Sequence, residues 1–274
     1  MTIGVFDSGV GGLTVAREIQ KALPGANLIY VGDSLNAPYG PRSEAEIQAL
    51  SLGQTRYLLN DWRCELIVLA CNTATAAAVA LLRDTFRFTP IVGMEPAVKP
   101  AVAATKSGIV GVLATVGTLS SAKLAALLER EGKDVEFLTH SCPGWVEAIE
   151  QGELDTPATY QLVREHVTPL LEEGADTLVL GCTHFPALRP VIQSIAGPAV
   201  ILIDTGEAVA RRVRSLVDEV PWADPDSLHL LTTGNTDRFA CAAQAILGLD
   251  TLPDVGQLVW RESELINAES GWAK

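Results

Sequence analysis

Two cysteines occupy matching points in two similar stretches. LIVLACNTATAAA (66–78) and DTLVLGCTHFPAL (176–188) each run from apolar residues through a small residue to a cysteine, then into a polar segment that reads as a helix start. A helix N-terminus favours the thiolate, because the helix dipole stabilises negative charge there. One such thiol would read as a nucleophile. Two thiols from facing, similar halves read instead as acid/base groups that approach one ligand from opposite sides. Taking a proton from one face of a carbon and returning one to the other inverts that carbon. The expected chemistry is therefore racemisation by Cys71 and Cys182. Such a pair needs one thiolate and one thiol, and it titrates as a coupled unit. His184, two residues beyond Cys182, is placed to orient or deprotonate that thiol. Asp7, at the end of the first apolar run, stands ready to do the same for Cys71.

Other chemistries fit less well. Cys71, Cys182 and His184 can be imagined as metal ligands, but the chain has no CxxC or HxxxH spacing and no clear fourth group. A pyridoxal phosphate enzyme needs a Schiff-base lysine. Lys99 and Lys106 lie nearest the expected strand ends, and neither has supporting context. GVGG (9–12) is not a Walker loop and lacks the third glycine of GxGxxG. A non-enzymatic binding protein with the same pocket would need no reactive thiols. Cys64, Cys142 and Cys241 read as structural residues, since an unpaired cysteine commonly behaves as a small hydrophobe.

These side chains need a scaffold that gathers them. Short apolar runs fall at 2–7, 26–32, 65–71, 90–94, 108–115, 134–140, 176–182 and 200–204. Most are nearly continuous, as expected for parallel strands covered on both faces. Helical patterns lie between them. Ser43 and Glu46 form a capping box that opens a helix to about residue 60. Thr156-Pro157 opens another that closes before Gly174, and 120–131 forms a third. Alternating strands and helices specify an α/β layered fold with parallel sheets, and the repeated cysteine pattern suggests two similar domains of this kind. The expected division is 1–96 plus a mostly helical 207–274 in one domain and 97–206 in the other. In such sheets ligands bind beyond the carboxyl ends of the strands. Asp7-Ser8-Gly9, Asp33, Cys71-Asn72-Thr73, Thr115, Thr118 and Cys182-Thr183-His184 all fall there.

The bulk properties narrow the partners. Of 274 residues, 48% are hydrophobic and 19% charged, enough for a buried core. The net charge of −13 argues against nucleic acid or an anionic membrane as partner. The uncharged run 66–82 is interrupted by Cys71, Asn72, Thr73 and Thr75, and fits a buried strand and helix rather than a membrane span. The opening residues lack the features of a signal peptide. Five widely spaced cysteines, an odd number, suit reduced thiols. A cytoplasmic protein is expected.

Six ordered motifs also carry a family likeness: GVFDSGVGGLTV (4–15), VGD…APYG (31–40), ACNTATA (70–76), GVLATVGT (111–118), CPGWVEAIE (142–150) and LGCTHFPAL (180–188). Over roughly residues 3–210 the chain resembles the bacterial glutamate racemases of the aspartate/glutamate racemase superfamily. The resemblance implies a cofactor-independent enzyme that interconverts L- and D-glutamate and supplies D-glutamate for peptidoglycan. It implies Cys71 and Cys182 as the proton donors and acceptors, assisted by Asp7 and His184, with Glu150 polarising His184. It also implies that Ser8, Asn72, Thr73, Thr183 and the Tyr39-Gly40 loop hold the substrate, with Thr115 and Thr118 adding to them. A homodimer is common in that family. A racemase for aspartate or another amino acid is the close alternative.

Overall fold

The computed structural model describes residues 1–132, 134–217 and 228–268. The chain begins with β1 (Thr2–Asp7), α1 (Leu13–Ala22), β2 (Asn27–Gly32), α2 (Glu44–Asn60), β3 (Leu66–Leu69), α3 (Asn72–Thr85) and β4 (Ile91–Val92). Next come α4 (Val98–Ala104), β5 (Ile109–Ala114), α5 (Val116–Leu119), α6 (Ala122–Glu131), β6 (Glu136–Ser141), α7 (Trp145–Glu150) and α8 (Pro157–Glu172). β7 (Thr177–Leu180), a 3-10 turn at Phe185–Leu188, α9 (Arg189–Ala196) and β8 (Ile201–Ile203) complete the middle of the chain. The last elements are α10 (Gly206–Ser215), β9 (Leu228–Thr232), α11 (Thr236–Leu247), β10 (Val255–Arg261) and β11 (Glu264–Asn267).

The strands form two sheets. One has the order β11-β10-β9-β2-β1-β3-β4 and the other β6-β5-β7-β8. The smaller sheet is parallel throughout, and in the larger only β10 and β11 pair antiparallel. The order β2-β1-β3-β4 recurs as β6-β5-β7-β8. The loops after β1 and β5 therefore correspond, as do those after β3 and β7. Every residue of β3 (LIVL) and of β7 (TLVL) is buried. That explains why these strands read as continuous apolar runs rather than as alternating ones.

Local signals act as expected at the helix starts. The Ser43 side chain accepts from the Glu46 backbone, and the Glu46 carboxylate accepts in return from Ser43 N at 2.9 Å. Thr156 caps α8 by accepting from Thr159 N at 3.1 Å, with Pro157 at the first helical position. Gly144 has φ 83°, a left-handed conformation that suits glycine. It lets the chain turn abruptly from Pro143 into α7, which ends on Glu150.

The C-terminal stretch departs from expectation. Residues 207–274 were expected to be mostly helical, yet among the described ones β9, β10 and β11 join α10 and α11. β9 pairs with β2 and extends the first sheet. LHLLT is short and carries a histidine, and in VGQLVWR the apolar residues are broken by Gly256 and Gln257. Neither has the continuous apolar character that marks the central strands. Among the described residues, no helix is long and apolar enough to cross a membrane.

Candidate active site

A cleft of about 510 Å³ opens where loops from the two sheets meet. From the first sheet's side come Ser8, Tyr39, Gly40, Cys71, Asn72 and Thr73. Thr115, Thr118, Cys182, Thr183 and His184 come from the second. Both cysteines of the repeated pattern thus line one cavity, each two residues beyond the end of its strand, β3 or β7. Asp7 and Glu150 do not line the cleft. They stand behind it and hold those that do.

On the Cys71 side, the thiol caps α3. Its Sγ accepts from Ala74 N at 3.4 Å and lies 3.9 Å from Ser8 Oγ. Ser8 Oγ in turn is 3.5 Å from Asp7 Oδ1. Asp7 is fully buried and accepts from Gly12 N at 2.8 Å. Burial raises its carboxyl above the usual range, while the charge of His184 and the Gly12 amide pull the other way. The thiolate expected at this helix start is not favoured. Burial, then the Asp7 charge, push the Cys71 thiol well up, and the Ala74 amide offsets only part of that. Desolvation outweighs the helix terminus here.

Cys182 is arranged differently. It precedes a turn rather than an α-helix, and only the short 3-10 segment from Phe185 follows. Its partner is a side chain: Cys182 Sγ lies 3.8 Å from His184 Nδ1. His184 Nε2 lies 2.7 Å from Glu150 Oε1, which also accepts from Val10 N at 2.8 Å. Burial opposes a charge on His184. Hydrogen bonds to Cys182 and Glu150, together with their charges, overcome it and lift the imidazole well above its ordinary value. Trp145 holds α7 in place by packing edge-on against Phe185, with ring centroids 4.7 Å apart.

Further hydrogen bonds join the halves next to the two cysteine loops. Asn72 Nδ2 donates to Gly181 O at 2.9 Å, leaving the buried Asn72 Oδ1 without a partner. Thr14 Oγ1 lies 2.9 Å from Thr183 O. Thr115 accepts from Thr118 N at 3.3 Å and caps α5, whose first residues line the cleft. Tyr39 does not offer its hydroxyl to the cavity, because that group donates to Asp33 Oδ2 at 2.7 Å. The backbone of 39–40 forms the wall instead. Gly40 abuts Gly117 so closely that a Cβ on Gly117 would lie 2.9 Å from Gly40 Cα.

Several contributors were not singled out in the sequence. Gly117, Val146 and Glu147 line the cleft, and so does Cys142, which the sequence suggested was only structural; it is buried, and its thiol is pushed up by burial and then by Cys182. CPGWVEAIE was the signal for most of them. Thr14 and Gly11 lie in GVFDSGVGGLTV, but their roles were not legible there, because they depend on contacts with residues about 170 positions away. Among the described residues, no cluster of three or more His, Cys, Asp or Glu side chains could hold a metal ion.

Comparison with known proteins places this geometry in context. A family profile described as Asp/Glu/hydantoin racemase matches residues 3–213. A glutamate racemase of Ectopseudomonas mendocina is 56% identical over 90% of this chain and 94% of its own length. A crystal structure of a Bacillus anthracis glutamate racemase isoform superposes with a TM-score of 0.80 at 35% identity, covering 96% of this chain and 98% of that one. The Escherichia coli glutamate racemase, solved with L-glutamate and an activator, gives 0.81 at 32% identity, over 89% and 94%.

Proposed function

The chain belongs to the Asp/Glu/hydantoin racemase family, and from that premise we propose that it interconverts L- and D-glutamate by proton transfer at Cα between Cys71 and Cys182. The observation that carries the reading is that these two thiols, from corresponding positions after β3 and β7, open into one cleft. The names of its relatives supply the substrate.

In this reading the two sulfurs play unequal parts in the resting protein. His184, 3.8 Å from Cys182, marks that sulfur as the base, while Cys71 keeps its proton because it is buried next to Asp7. The Cys182 thiolate takes the proton from Cα, so the Cα–H bond breaks and an S–H bond forms. Cys71 then gives its own proton to the opposite face of the carbanion. The enzyme is left with the roles of its thiols exchanged, ready for the reverse reaction. Asp7 acts on the Cys71 side through Ser8. Glu150 holds His184 charged and oriented.

Ser8, Asn72, Thr73, Thr183 and the 39–40 backbone bind the substrate's carboxylates and ammonium, with Thr115 and Thr118 completing the rim. Among the described residues, no lysine or arginine lines this cleft. An acidic ligand is held instead by hydroxyls, amides and the starts of α3 and α5. The working units are 1–96 with 207–274, and 97–206. The same reading includes a cytoplasmic location, supply of D-glutamate for peptidoglycan, and a homodimer.

The test is circular dichroism of purified protein given each enantiomer of glutamate and of aspartate, with no cofactor and with chelator. Loss of optical activity from both glutamate enantiomers, unchanged by chelator, is expected. A preference for aspartate overturns the substrate assignment, and inhibition by chelator overturns the metal-free chemistry.

A further inference from the structure

We propose that Trp260 and Thr233, on the C-terminal strand segment, are positioning residues that hold the 38–40 wall of the cleft through Asp33. This rests on the reading that the Tyr39-Gly40 loop contacts the substrate.

Asp33 follows β2 and is completely buried. Among the described residues, four side chains donate to its carboxylate. Two belong to the loop itself: Tyr39 Oη reaches Oδ2 at 2.7 Å, and Asn36 Nδ2 reaches both oxygens at 3.0 and 3.1 Å. The other two come from the far end of the chain. Thr233 Oγ1, just beyond β9, donates to Oδ1 at 2.7 Å, and Trp260 Nε1, in β10, donates to Oδ1 at 2.9 Å. Thr233 Oγ1 also accepts from Leu35 N at 3.1 Å. Gln54 Nε2 donates to the Tyr39 hydroxyl at 2.8 Å, so the loop is held from α2 as well.

The arrangement is a junction with the outer strands on one side and the cleft wall on the other. Trp260 cannot easily be displaced, since its ring lies against Gly53, where a Cβ would meet it at 2.5 Å. Burial works to raise the Asp33 carboxyl, and Trp260 is the first of the donors that act against it. Removing a donor leaves a buried carboxylate less well held, which loosens the loop that depends on it. Ionisable side chains lie nearby. Tyr39 is bonded to Asp33 and is itself driven up by burial and the Asp33 charge. Arg42 donates to Asn36 O at 2.6 Å.

The experiment uses full-length Trp260→Phe and Thr233→Val, each of which removes a donor while keeping most of the packing. Steady-state kinetics with glutamate are expected to show KM raised about tenfold, with kcat changed less than about threefold. Hydrogen–deuterium exchange should show residues 33–42 exchanging about tenfold faster, while peptides of β1, β3 and β7 are unchanged. If neither measurement moves, the proposal is overturned. A loosened loop with an unchanged KM also overturns it, because the wall would then not be held for substrate. Faster exchange throughout the chain would reveal general destabilisation and overturn it too. Should Trp260→Phe not fold, Thr233→Val decides alone. If the wild type fails to racemise glutamate, that sinks the functional reading. The exchange measurement needs no substrate and still decides whether the junction exists.

Discussion

A Cβ placed on Gly11 would lie 2.2 Å from Nδ1 of His184. The imidazole rests directly on the backbone of the glycine turn that follows β1, and so it is located by the half of the molecule opposite its own. Gly11→Ala must push the ring away, because Glu150 holds its other nitrogen at 2.7 Å. Overpacking of this kind costs about 1–3 kcal/mol of stability. A misplacement near 1 Å costs about a hundredfold in rate. The expected variant is folded by circular dichroism, melts somewhat lower, and has lost at least about a hundredfold in kcat/KM.

Cys71→Ser and Cys182→Ser should each lower racemisation by about 10²–10⁴-fold or more, the range that acid/base groups contribute. Enantiomers have equal free energy in water, so each variant must lose kcat/KM by the same factor from D- and from L-glutamate. Polarimetric rates in both directions check both points. Near wild-type turnover in either variant removes that cysteine from the chemistry.

Proton transfer on two faces leaves an isotopic record. In deuterium oxide the product enantiomer should carry deuterium at Cα from the earliest times, while recovered substrate stays largely protonated. Mass spectrometry after chiral separation reads this directly. Equal early labelling of both enantiomers would point to one base that serves both faces.

Glu150→Gln tests what keeps His184 charged. The His184 imidazole is raised well above 6.5 in the folded protein, with Glu150 among the causes. Its charged form therefore contributes stability that is fully present below about pH 6.5 and lost as pH climbs through the elevated value. Glutamine retains an acceptor but no charge, so the imidazole loses its proton at lower pH. The alkaline limb of log kcat/KM should move down in pH, and the loss of thermal stability should set in earlier on the same axis. An unmoved limb assigns it to another group.

Much of this was readable in the chain because the relevant signals are local. β3 and β7 announce themselves as apolar runs, since both faces are covered. Ser43 with Glu46 and Thr156 with Pro157 mark helix starts that depend on residues three or four apart. Cys71 and Cys182 share a pattern because the two sheets share a strand order. What was not legible is non-local or is a balance of energies. The helix start at Cys71 argues for a thiolate, and burial reverses the outcome. The strands beyond residue 227 gain their character by joining the edge of an existing sheet. Asp33 looked like one more polar group on the rim, yet its partners lie at positions 36, 39, 233 and 260.

The bonds from Asn72 to Gly181 and from Thr14 to Thr183 act as a ligament at the base of the two cysteine loops. A ligand cannot enter there without breaking buried hydrogen bonds. Gly40 and Gly117 meet elsewhere as bare backbone, with no side chain to interlock. The approach of those two glycines leaves no room for a Cβ at Gly117, so at that point the width of the cavity is set by main chain alone.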